Sequence, residues 1–178
     1  MLEPESNLLI ATALVTLLGI AVITDIDSWR IPNKLVVIGL AIGMLGNASF
    51  GGVGALALAF AGGCVGLLCL LPFYALGGMS AGDVKLMAMS GAFLGPALAV
   101  VAAVFSLAVG GLVGIAWYFW HYKRPEKNTD EFIHGGAVTV PSTTLRKSVR
   151  PAIPFAVAIG AGTILTLVAA PHLRIALA

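Results

Sequence analysis

Three aspartates hold most of the chemical potential of this sequence: Asp25, Asp27 and Asp83. Each adjoins a long apolar run, where a carboxylate is expensive to keep and usually has a function. Glu3, Glu5, Glu126, Asp130 and Glu131 lie in polar stretches instead, where a solvated charge explains them. Two carboxylates a few Å apart cannot both ionise cheaply, so the pair holds one proton between them. The ionised member can take a proton from water while the protonated member polarises a carbonyl, which is the chemistry of peptide-bond hydrolysis. Plainer readings stand beside this one. Asp83, opening an apolar run, also suits a helix N-cap, and Asp25 could pair with Arg30 or Lys34 as an interfacial anchor. Asp27 competes with Asp25, because on a helix the two point roughly 200° apart and only one can face a given site.

Other constellations are poor. His121, His134 and His172 are scattered, without a metal-ligand companion at i+3 or i+4. Cys64 and Cys69 sit in an apolar run and form no Cys-x-x-Cys pair, so they read as small core residues. The serines have no Gly-x-Ser-x-Gly setting. No metal and no cofactor is expected.

The elements that must position the aspartates follow from composition. Of 178 residues, 59% are hydrophobic and only 10% charged, with a mean hydropathy of +1.01. A water-facing exterior needs about a quarter charged residues, so lipid is the expected solvent. A net charge of +2 with no basic face spread along the chain argues against nucleic-acid binding. The acidic start, Glu3 and Glu5, is not that of a cleavable signal peptide.

Apolar runs place crossings at Leu8–Thr24, Leu35–Ala48, Val53–Leu76 and Ala152–Ala170. Val84–Trp120 would exceed 50 Å as one helix at ~1.5 Å per residue, and Gly95-Pro96 offers the break. Basic residues at Arg30 and Lys34, and again at Lys123, Arg124, Lys127, Arg146, Lys147 and Arg150, mark two cytoplasmic connections. Both assignments hold only if Val84–Leu94 and Ala97–Trp120 cross separately. The expectation is therefore an all-α polytopic bundle of six transmembrane helices. It forms a single domain over residues 1–178, with a cytoplasmic loop at about 123–150 and both termini outside. Two crossings separate Asp25 from Asp83, which are 58 positions apart, so parity returns both to one membrane face. Gly39-x-x-x-Gly43, Gly62-x-x-x-Gly66 and Gly110-x-x-x-Gly114 mark helices that approach closely in lipid. Trp117, Tyr118, Trp120 and Tyr122 cluster at a span end, as interfacial aromatics do.

The segments Asp25-Ile-Asp-Ser-Trp-Arg-Ile-Pro-Asn33 and Ser80-Ala-Gly-Asp-Val-Lys85 resemble the two signatures of type IV prepilin peptidases, membrane aspartyl proteases with a Gly-x-Gly-Asp motif. Ile153-Pro-Phe-Ala-Val-Ala-Ile159 is similar to the last-helix signature of that family. The resemblance maps the first catalytic aspartate, six residues before the Ile of Ile-Pro-Asn, onto Asp25, and the second onto Asp83. It implies removal of the leader from a prepilin or pseudopilin precursor at the cytoplasmic face of the inner membrane. Membrane lipid would surround the enzyme, with no nucleic acid involved. Ser80 departs from the motif, standing where its first glycine belongs. The longer members carry paired Cys-x-x-Cys motifs linked to N-methylation of the mature pilin. This chain has none and resembles the short peptidases of tight-adherence (Flp) pilus systems, so methyltransferase activity is not expected. Two other classes remain: a proton- or cation-coupled transporter or channel subunit, and a non-catalytic secretion-assembly subunit.

Overall fold

A computed structural model describes residues 4–28, 31–122 and 155–176. The described residues form five helices: α1 (Pro4–Ser28), α2 (Asn33–Ala75), α3 (Ala81–Leu94), α4 (Pro96–Tyr122) and α5 (Phe155–Ala176). The expected basic loop at 123–150 lies outside the described residues, as do Trp29 and Arg30.

The two crossings expected at 35–48 and 53–76 have no separate linker between them. Helix α2 runs through both and is interrupted at the single residue Gly52, with φ 66° and ψ −158°. That backbone region is essentially reserved for glycine. Packing shows what the interruption achieves. In the first arm, Gly39 lies against Met89 and Gly43 against Phe93, so the arm runs parallel to α3. In the second arm, Gly62 lies against Gly91 and Gly95, and Gly66 against Met87 and Ala88, so this arm runs antiparallel to α3. The chain therefore reverses at Gly52. Gly52→Ala puts a side chain in a conformation that costs about 1–3 kcal/mol, and a lowered Tm in detergent is the expected measurement.

The second predicted break is also present. Helix α3 ends at Leu94, Gly95 takes φ 78°, and α4 begins at Pro96. Proline suits a first helical position because its missing N–H leaves nothing unpaired, and the positive φ at Gly95 redirects the chain before it.

Short α3 is the centre of the bundle. Every residue from Asp83 to Phe93 except Lys85 is buried, which accounts for a helix that is apolar all round. Around it, Leu14, Leu18 and Ala21 of α1, Leu70 of α2, Ala102 and Ala103 of α4, and Ala156 and Ile159 of α5 complete the core. Asn47 adds a polar tie across the arm, its amide donating to the Ala92 carbonyl at 3.2 Å. Helix α1 is antiparallel to the first arm, with Ile10 beside Gly46 and Leu17 beside Gly39. Helices α4 and α5 are antiparallel as well, with Phe155 against Gly110 and Gly162 against Ser106.

The outer surface is the reverse of a soluble protein's. Leu8, Ile23, Val37, Leu45, Phe60, Leu112 and Val168 are all largely exposed. Three helical segments, Leu8–Ser28, Asn33–Ala75 and Pro96–Ala116, are long and apolar enough to cross a membrane, and Phe155–Ala170 is a shorter apolar helix. Apolar contact with lipid gives helices little reason to associate, so backbone approach at small residues must hold them together. The glycine spacing serves that purpose here.

Candidate functional site

Asp25 lies in the last turn of α1, half-buried, while Asp27 in the same turn is exposed. The helix extends past the expected end at Thr24, so both aspartates are helical and project in different directions. Asp83 lies in the first turn of α3 and is only 4% exposed. The charge of Asp25 registers on Asp83. The fold therefore brings together Asp25 and Asp83 at one end of the bundle, the arrangement that parity required, and leaves Asp27 facing outward.

Local sequence explains how Asp83 is held. Ser80 is the N-cap of α3, with extended backbone at φ −84° and ψ 156°. Its hydroxyl oxygen accepts from the Asp83 N–H at 3.3 Å, and its own N–H donates to Asp83 Oδ2 at 2.9 Å. This reciprocal pair is a capping box, in which two otherwise orphaned amides are satisfied. The N-cap reading of this region is thus right about the element and wrong about the residue: Ser80 caps, and Asp83 is the third residue of the helix. The carboxyl is thus buried with its Oδ2 bonded to the backbone of its own cap.

Asp25 has a partner that no sequence pattern suggested. The backbone N–H of Ala156, near the start of α5, lies beside its carboxyl, and a helix N-terminus presents free amides there. The contact gives the start of α5 a place in the site.

Gly82 has a packing role: a Cβ there would meet Ser80 Oγ at 3.3 Å and Ile31 at 3.4 Å. The missing side chain makes room for the 31–33 segment. That segment is tied to α3 a second time, since Lys85 Nζ donates to Asn33 Oδ1 at 3.0 Å across 52 positions of sequence. The two motif segments thus meet through glycine contact and one side-chain bond. Lys85→Met removes the bond from an exposed position, and a loss of about 0.5–1.5 kcal/mol is expected, read as a small fall in Tm.

Cys64 and Cys69 are free thiols, exposed and half-buried, on the second arm of α2. Among the described residues no group of three His, Cys, Asp or Glu side chains is placed to hold a metal ion. The side chains of His121 and His172, and all of His134, fall outside the described residues.

No curated protein and no solved structure matches this chain. A family model does, over residues 12–115, which is more than half of the sequence. That stretch includes most of α1, both aspartates, the whole of the two-armed α2 and the central α3. The chain belongs to the type IV leader peptidase family, a family of proteases.

Proposed function

We propose that the protein is a membrane aspartyl endopeptidase that removes the leader peptide from prepilin or pseudopilin precursors at the cytoplasmic face of the inner membrane. The observation that carries this reading is the buried Asp83 within the electrostatic reach of Asp25, at one end of an otherwise apolar bundle. Asp25, as the ionised member of the pair, takes a proton from water as the oxygen attacks the scissile carbonyl carbon. Protonated Asp83 donates to the carbonyl oxygen. The tetrahedral intermediate then collapses: the C–N bond breaks, the leaving amine takes up a proton, and the pair returns to sharing one. The pH dependence of such a pair belongs to both members together.

In this reading the two arms of α2 cross separately, and with α1, α3, α4 and α5 they make six crossings. Both termini lie on the extracytoplasmic side, the 123–150 loop is cytoplasmic, and the chain carries no methyltransferase function. The test is co-expression with a pilin-like precursor that has a basic leader, followed by mass spectrometry of the product. A precursor shortened at its leader junction is the expected result. An intact precursor beside well-inserted enzyme overturns the reading, and proton flux in liposomes without cleavage would favour transport instead.

A further inference from the structure

We propose that the Ser80 hydroxyl is a positioning group for the acid function of Asp83: by capping the Asp83 N–H it keeps the Ser80 N–H seated on one carboxylate oxygen, so that the other carries the shared proton. The inference rests on the peptidase reading and deepens it. Oδ2 of Asp83 is occupied as an acceptor by the Ser80 N–H, a group that can only donate. The Asp83 amide is held in return by the Ser80 hydroxyl. A carboxylic acid has one O–H, and with Oδ2 serving as the carbonyl-type acceptor that O–H belongs on Oδ1. The side chain cannot rotate to exchange its oxygens without breaking the bond to the helix cap.

The departure from Gly-x-Gly-Asp is therefore a functional substitution. Glycine at position 80 could supply the amide but no hydroxyl. Ser80 has the ordinary extended conformation of an N-cap, so nothing in its backbone calls for glycine. Among the groups packed near Asp83, Asp25 from α1 is the one whose charge registers on it. Asp27 on α1 is exposed, and Lys85 on α3 itself is bonded to Asn33 of α2. From α5 the Ala156 amide lies beside Asp25.

The experiment uses the full chain in proteoliposomes and a synthetic peptide containing a basic leader and the start of an apolar pilin helix. Initial rates are taken across pH for wild type, Ser80→Thr, Ser80→Ala, Ser80→Gly and Asp83→Asn. Ser80→Thr keeps the hydroxyl and is expected to retain the wild-type profile. Ser80→Ala and Ser80→Gly are expected to lower kcat about five- to tenfold, the size of a lost cap interaction expressed as a rate, with KM unchanged. Their alkaline limb should move to higher pH, because without the hydroxyl cap the Ser80 N–H is held less firmly against Oδ2, and that bond favours the ionised carboxyl. A purely structural cap would lower Tm and leave that limb in place. Unchanged limbs in the alanine and glycine variants, with Asp83→Asn inactive, overturn this inference and leave the peptidase reading intact. Equal losses in the threonine and alanine variants overturn it as well, since packing and not the hydroxyl would then matter. Cleavage by Asp83→Asn, or none by wild type, overturns both.

Discussion

Asp83→Asn and Asp25→Asn are each expected to lower precursor cleavage by about 10²–10⁴-fold, the usual contribution of a positioned acid or base. Asp27→Asn should leave it nearly unchanged. The geometry makes this a clean comparison. Asparagine keeps an oxygen that can accept from the Ser80 N–H, so the capping box that starts α3 survives the change at 83. It also replaces a buried ionisable group with a neutral one. Asp83→Asn should therefore hold or raise Tm while removing most of the cleavage, a combination that separates chemistry from folding. Wild-type activity should fall on the alkaline side as the pair loses its shared proton. Leader removal followed by mass spectrometry, with Tm on the same samples, reads both effects. An active Asp25→Asn beside an inactive Asp27→Asn would move the first catalytic role to the outward-facing residue.

Gly62→Ala and Gly91→Ala should each destabilise the bundle by about 1–3 kcal/mol, the cost of forcing a methyl group into a full interior. The two glycines face each other across the crossing of α3 with the second arm of α2. A Cβ on either would overlap the backbone carbonyl of the other, and a Cβ on Gly62 would also strike the Gly95 backbone. A backbone carbonyl cannot swing aside as a side-chain end can, so the helices themselves must separate. Because α3 carries Asp83, activity should fall along with stability; a displacement of about 1 Å can cost 10²-fold in rate. Gly19→Ala and Gly111→Ala are the controls. Neither would bring a Cβ within 4 Å of another group, and alanine is the better helix former by about 1 kcal/mol, so Tm should stay level or rise. Thermal unfolding in detergent, with cleavage rates alongside, distinguishes a glycine needed for close approach from one merely tolerated in a helix.

The architecture was largely legible because it rests on local quantities. Run lengths gave the helices, Gly95-Pro96 gave the break between α3 and α4, and glycine spacing marked contact faces that the structure fills with Met89, Phe93 and Gly91. The turn at Gly52 was read as a gap between two runs. It is one residue with positive φ, and nothing in composition distinguishes that residue from Gly46 or Gly54. The pairing of Lys85 with Asn33 and the approach of α5 to Asp25 join segments far apart in sequence, and no periodicity encodes such a meeting.

Asp25 and Asp83 illustrate the division most directly. The sequence by itself determined that they belong at the same end of the molecule, because apolar run length sets the number of passes and parity follows from it. It also determined their chemical type and the helices that hold them. Only the tertiary structure decided that Asp25 and not Asp27 faces the bundle, since helical phase matters only once neighbouring helices define an inside. Only the tertiary structure, too, revealed Ser80 as the cap that fixes Asp83. That role depends on the angle at which five residues of connection, 76–80, enter α3, and chain direction at a helix entrance is set by packing around it.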